Sequence, residues 1–240
     1  LDSSGLAFAG LAVVLATGDT QVAQSPSVTV HEGTSMSVAV SPDGRTLAID
    51  LQGTIWTLRG AGGAGRQVTD VYNDARHPAF SPDGRAIAFQ GYRDGGYDIW
   101  AVAPDGTNQR QLTSGPFDDR EPAWSHDGTR VAFSSDRGPS ISAGQPNAGA
   151  SNYNLWVLEV SSGKLTQLTT DRADDFMPTW SPDDREIAFI SSRAGGQTLW
   201  ALNLASGAER PVSADGVRSD APSWGPSGQI VYHSTAGNGS

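Results

Sequence analysis

Three motif columns recurring at fixed separations along 240 residues predict an all-β fold, a β-propeller of four-stranded blades. The first is "SPDG", at Ser41 and Ser81, with variants at Ser125 ("SHDG"), Ser181 ("SPDD") and Gly225 ("GPSG"). The second is a tryptophan after Ile or Leu: Trp56, Trp100, Trp156 and Trp200. The third is a hydroxyl residue at Thr69, Thr113, Thr169 and Ser213. Each tryptophan precedes its hydroxyl residue by 13 positions, and each hydroxyl residue precedes the next turn column by 12. All length variation, 15, 19, 31 and 19 residues, lies between the turn and the tryptophan. One segment of each unit therefore tolerates insertion.

Within a unit, strand a is "HPAF", "EPAW", "MPTW" or "APSW", ended by a Pro-Asp-Gly type of turn. Strand b is "AIAF", "RVAF" or "EIAF", with large residues on one face and alanine on the other, the pattern of a sheet covered on both sides. Strand c carries "DIWAV", "NLWVLEV" or "TLWALNL", and strand d "RQLT" or "TQLT". Helix-period spacing is absent. All seven tryptophans fall in repeat columns and read as core. At the N-terminal side, "SVTV" around Val28 stands in the strand-d column with no a, b or c strand before it, an outer strand placed to close the ring. At the other end, "QIVYHS" (Gln229–Ser234) supplies strand b of a fifth unit. The expectation is an incomplete propeller, four full blades plus part of a fifth, belonging to a longer chain.

The net charge of −10, with Lys164 the single lysine, argues against nucleic acid and against an anionic membrane surface. Cysteine is absent, so neither disulfides nor thiolate metal sites are available. "GLAFAGLAVVLA" (Gly5–Ala16) has the length of a signal-peptide apolar region and is too short to span a bilayer. Residues 1–27 are thus expected to be part of an export leader and 28–240 the propeller, in a periplasmic or secreted protein. The alternative for this run is a buried strand or helix of the fold.

From Val28 to Ser234 the columns resemble the TolB-like propeller repeat, a WD-like family marked by W-S-P-D-G-x-x-I-A-F and a following D-I-W-V strand. "VTVHEGTSMSVAVSPDGRTLAIDLQGTIWTL" (Val28–Leu58) and "GPFDDREPAW" (Gly115–Trp124) resemble secreted bacterial proteins in which such a propeller precedes a metal-dependent amidohydrolase domain. The resemblance implies a non-catalytic propeller that supports or gates a catalytic domain located after Ser240. The same repeat occurs in stand-alone periplasmic protein-binding modules and in propeller caps of serine peptidases, so the fold does not choose among them.

In an a-b-c-d unit the b–c turns and the d–a connections share one face, at the mouth of the channel. The d–a connections are acidic: "NDARHP", "DDREP", "ADDFMP" and "RSDAP". Asp74, Asp118 and Asp174 share a column, Asp119 and Asp175 the next, and Arg76 and Arg120 a third; Pro78, Pro122, Pro178 and Pro222 fix the start of strand a. One reading is a binding ring of carboxylates and guanidiniums for a cationic or peptide-like ligand or a partner domain. The other is that each Asp caps its own turn or pairs with a neighbouring blade's Arg. His77, Glu121, Met177 and Asp220 depart from the columns and are the better functional candidates.

The insertion "GPSISAGQPNAGASNYN" (Gly138–Asn154) reads either as a contact for another domain or as a tolerated loop. "GAGGAG" (Gly60–Gly65) lies between strands c and d with no helix to follow, so it is a turn and not a phosphate cradle. The four histidines are scattered, His126 merely replacing the turn proline, and neither a nucleophile elbow nor a calcium loop occurs. No catalytic set, metal site or cofactor is expected in this segment.

Overall fold

The computed structural model describes residues 11–14, 27–30, 36–138, 152–170, 172–213 and 218–235, as strands and turns without helix. Most of residues 138–154 and of residues 1–27, the stretch expected above to be a leader, lies outside the described residues. Four antiparallel sheets have the order a-b-c-d. Blade 1 comprises Val38–Val40, Thr46–Leu51, Thr54–Arg59 and Arg66–Gln67. Blade 2 is Arg76–Phe80, Ile87–Arg93, Gly96–Val102 and Arg110–Gln111. Blade 3 is Asp119–Trp124, Arg130–Ser135, Asn154–Glu159 and Leu165–Gln167. Blade 4 is Asp175–Trp180, Glu186–Ser191, Thr198–Asn203 and Glu209–Pro211. Blade 5 contains only Arg218–Trp224 and Ile230–Thr235 among the described residues.

Strand b is covered on both faces, as the alternation with alanine predicts: Ile87, Ala88 and Phe89 are all fully buried, as are Val131, Ala132, Phe133 and Ile187, Ala188, Phe189. The core lies between blades. Ala48, Ile55 and Val68 of blade 1 pack with Ile87, Phe89 and Trp100 of blade 2, and Leu155 and Val157 of blade 3 with Trp180, Ile187 and Phe189 of blade 4. Burying each such Phe contributes about 2–3 kcal/mol.

The fixed spacings have a hydrogen-bond cause. The hydroxyl of Thr69, Thr113, Thr169 and Ser213 accepts the backbone N–H of Ile55, Ile99, Leu155 and Leu199, at 2.8–3.0 Å, and so ties strand d to c one residue before the tryptophan. In the turn column, Ser41 and Ser81 donate to the aspartates two residues on at 2.6 Å and accept the N–H of Thr46 and Ala86 at 2.9 Å. The motif therefore builds the a–b corner.

Successive corners touch. A Cβ built on Gly84 would lie 3.6 Å from Pro42 Cδ, and one on Gly128 would lie 3.2 Å from Pro82 Cγ, so a small residue packs on the preceding blade's proline. Between blades 3 and 4 both positions differ: His126 replaces the proline and Asp184 the glycine. The Asp184 carboxylate accepts the N–H of His126 (2.8 Å) and of Asp127 (2.9 Å), with His126 Nδ1 3.1 Å from the same carboxylate. A proline could not have donated the first bond. The two departures from the turn consensus form one latch.

The Ser27–Val30 strand pairs antiparallel with Leu11–Val14, in the register Leu11↔Val30, and not with blade 5. The ring-closing place expected for it is not taken. A d strand needs a c strand to pair with, and blade 5 has none among the described residues.

Candidate functional site

In blades 2 to 5 the register of strand a slips between Arg76/Ala79, Arg120/Ala123, Phe176/Thr179 and Asp220/Ser223. The residue before each proline, His77, Glu121, Met177 or Ala221, adopts a left-handed backbone with φ of 51°, 56°, 53° and 47°. Such a conformation costs a side-chain-bearing residue about 1–2 kcal/mol. It aims the backbone N–H across the junction, where the preceding blade receives it. His77 N–H donates to Asp50 Oδ2 (3.1 Å) and Glu121 N–H to Gln90 Oε1 (3.0 Å). Ser134, at the corresponding place in blade 3, donates instead to Glu121 Oε2 (2.6 Å), and that oxygen receives the Met177 N–H (2.8 Å). Asp50, Gln90 and Ser134 were not among the sequence candidates; the signal available was their shared place directly after the Ile49, Phe89 and Phe133 column.

These bulges line the channel. His77, Glu121, Met177 and Asp220, with the four prolines and Met36, Ser37 and Val38 of blade 1, line an open cavity of ≈ 440 Å³. Its ionisable lining is His77, Glu121 and Asp220, without arginine or lysine. His77 Nδ1 lies 3.4 Å from Ser37 Oγ, and Asp220 Oδ1 accepts the N–H of Ala221 at 2.9 Å. The structure thus brings together the residues that depart from the columns.

It places the two aspartate columns elsewhere. Asp119 and Asp175 are fully buried. Asp119 accepts from Ser135 Oγ (2.6 Å) and from the Arg137 guanidinium, and Asp175 receives Arg193 on both oxygens at 3.1 Å. These are ion pairs within one blade, between strand a and the end of strand b, and they do not reach the channel. Where blade 2 has Ala75 in this column, Arg93 turns to Asp70 instead (3.3 Å).

Asp118 and Asp174 knit neighbouring blades at the b–c and d–a face, while Asp74 bonds within its own blade. Asp118 Oδ1 accepts the N–H of Tyr97 (2.9 Å) in the preceding blade, and Asp174 Oδ1 that of Tyr153 (3.1 Å). The tyrosine hydroxyls reach back, Tyr97 to Asp74 at 2.5 Å and Tyr153 to Asp118 at 3.2 Å. Arg76 pairs with Asp74, and Arg120 pairs with Asp118 while lying over the rings of Tyr97 (4.7 Å) and Tyr153 (5.6 Å). Burial works to raise the Asp74 pKa, but the Tyr97 and Arg76 hydrogen bonds outweigh it and hold the carboxyl below its usual range. Burial pushes Tyr153 up to about 12, with Arg120 opposing and Asp118 and Asp136 reinforcing.

Asp98, on strand c, is buried, and burial with help from the Asp119 charge raises its pKa to about 6. Its Oδ2 accepts from Gln111 at 2.8 Å, while Oδ1 has no hydrogen-bond partner among the described residues. Among the described residues no group of three His, Asp or Glu side chains is placed to hold a metal, and no helix is long and apolar enough to cross a membrane.

The model of the TolB beta propeller domain matches residues 12–146 and 145–240. Among solved structures, a TolB-like protein from Agrobacterium tumefaciens is 23% identical with a TM-score of 0.73, over 88% of this chain and 73% of that one. TolB from Acinetobacter baumannii is 18% identical with a TM-score of 0.65, over 84% of this chain and 47% of that one. An oligogalacturonate lyase from Vibrio parahaemolyticus is 18% identical with a TM-score of 0.60, over 95% of this chain and 66% of the lyase. The chain therefore spans about half the length of the Acinetobacter protein, and at such identities the likeness is one of fold. No curated protein matches the sequence. The repeat columns, the a-b-c-d sheets and the family match over nearly the whole length agree: the chain belongs to the TolB beta propeller domain family.

Proposed function

We propose that this propeller is a non-catalytic binding scaffold of an exported, periplasmic or secreted bacterial protein, which receives a cationic or peptide-like segment of a protein partner at its channel. The reading rests on one observation: the ≈ 440 Å³ channel cavity has Glu121, Asp220 and His77 as its ionisable groups among apolar proline and methionine walls. A cavity of this size takes one or two side chains, and a few polar groups in an apolar lining give it selectivity. Charge of one sign draws the opposite charge to its mouth.

The test is binding of a fluorescein-labelled tetralysine peptide, with tetraglutamate as the control. Glu121→Gln combined with Asp220→Asn is expected to weaken tetralysine binding about tenfold. Equal affinity of the variant and the parent chain would defeat the reading.

The resemblance of Val28–Leu58 to propellers that precede amidohydrolase domains supports a finer reading, in which the scaffold supports or gates a downstream metal-dependent hydrolase. The polypeptide following Ser240 would then carry an H-x-H strand and further His and Asp ligands. A sequence ending soon after ring closure would exclude it.

A further inference from the structure

The junction between blades 4 and 5 lacks each filling that the preceding junction has. Between blades 3 and 4 the corners are joined by the His126–Asp184 latch, Arg130 lies over the Trp180 ring at 4.6 Å, and the Trp180 indole N–H donates to Ala123 O at 3.0 Å. One blade further on, Pro182 and Gly228 occupy the latch positions, and a Cβ built on Gly228 meets nothing within 4 Å. Glu186 stands where blade 3 has Arg130, so no guanidinium lies over Trp224 among the described residues, and the Trp224 indole nitrogen is buried without a partner. A groove of ≈ 460 Å³ results, lined chiefly by Trp224, Glu186, Asp183, Arg185, Asn203 and Gly228.

We propose that this groove is a guanidinium-binding site, in which an arginine-type group takes over Trp224 the place that Arg130 takes over Trp180 and is held by the Glu186 carboxylate. Neither arginine beside the groove is stacked on Trp224 among the described residues. Arg210 engages Glu186 Oε2 at 2.7 Å, and Oε1 has no hydrogen bond among the described residues. Arg185 also lines the groove, but its side chain is 81% exposed, lies 3.7 Å from Asp183 and is not stacked on Trp224. A planar guanidinium satisfies both demands of the site, stacking on an indole and forking to a carboxylate, and an ammonium meets the second less well. The site lies on the a–b turn side and is independent of the channel reading.

The probe is N-acetyl-L-argininamide, titrated into the chain while the Trp224 indole N–H resonance is followed by NMR, with the uncharged isostere N-acetyl-L-citrullinamide alongside. The arginine compound is expected to shift that resonance saturably in the millimolar range or tighter, and the citrulline compound not to. Glu186→Gln, followed on the Trp224 indole, and Trp224→Phe, followed on the Gly228 backbone amide, are both conservative in shape and should each weaken binding about 3- to 10-fold, while Glu121→Gln in the channel leaves it unchanged. Free L-arginine and a Gly-Arg-Gly amide, run in parallel, distinguish a small guanidine ligand from an arginine displayed on a partner chain. The proposal is overturned by no saturable shift, by citrulline binding equally well, by indifference to both groove variants, or by sensitivity to Glu121→Gln.

Discussion

The His126–Asp184 latch can be dissected by a double-mutant cycle whose end point already exists elsewhere in the molecule. Asp184→Gly removes three hydrogen bonds to one carboxylate, whose side chain is 11% exposed, and relieves a left-handed aspartate at φ 57°. Bonds to a charged acceptor contribute about 1.5–3 kcal/mol when buried and less here because the His126 side chain is half exposed, so we take about 1 each; the relieved backbone returns about 1. The net loss is about 2 kcal/mol. His126→Pro removes two of the three donors and leaves the carboxylate partly desolvated, for a similar loss. The double variant recreates the Pro–Gly corner contact seen at Pro42–Gly84 and Pro82–Gly128, and should lie within about 0.5 kcal/mol of the parent chain. Urea unfolding followed by tryptophan fluorescence reads all four proteins. A coupling of about 4 kcal/mol is expected; losses that simply add would show that the two replacements arose without reference to each other.

Asp98 gives a pH prediction. Its folded pKa of about 6 exceeds the 3.8 of an unperturbed carboxyl, so its contribution to stability is fully present below about pH 4 and is lost as pH rises through about 6. Asp98→Asn should therefore be the more stable protein near pH 7.5, by up to about 3 kcal/mol, with the gap closing near pH 4; a gap constant with pH in urea titrations would sink the assignment. Removing one partner of the buried Asp119–Arg137 pair leaves a buried charge, so Arg137→Met should cost about 3–5 kcal/mol and Arg137→Met with Asp119→Leu much less, as read by the urea midpoint. Glu121→Ala should lose about 1–3 kcal/mol, because the Met177 N–H and the Ser134 hydroxyl both lose their acceptor; hydrogen exchange at Met177 should accelerate while that of His77 does not.

The blade was legible because its spacing is set by local geometry. The 13-residue interval from Trp56 to Thr69 is the length of a c–d hairpin closed by the Thr69 bond to Ile55, and any sequence that keeps this bond must keep the interval. His77, Glu121 and Asp220 were visible as departures from the columns, and the fold gathers them in one cavity. Asp119 and Asp175 were legible as acids that cap a turn or pair with an arginine, but the arginine was expected from a neighbouring blade, whereas Arg137 and Arg193 lie 18 residues on, just past the next strand of the same blade. His126 read as a simple turn substitution because Asp184 is 58 residues distant. What stays hidden is pairing between blades, which leaves no fixed interval when the b–c segment varies in length.

A chain of near-identical units risks pairing the wrong neighbours while it folds, since a strand from one blade could be accepted by another. The junctions across the channel give each seam a different chemistry. Asp50 receives His77, Gln90 receives Glu121, and Glu121 in turn serves Met177 with Ser134 behind it. A blade out of order would leave a bulge N–H facing an apolar residue such as Ile190, or set two carboxylates together. These seams act as addresses, so the succession of blades is written in the bonds between them and not only in the covalent order of the chain.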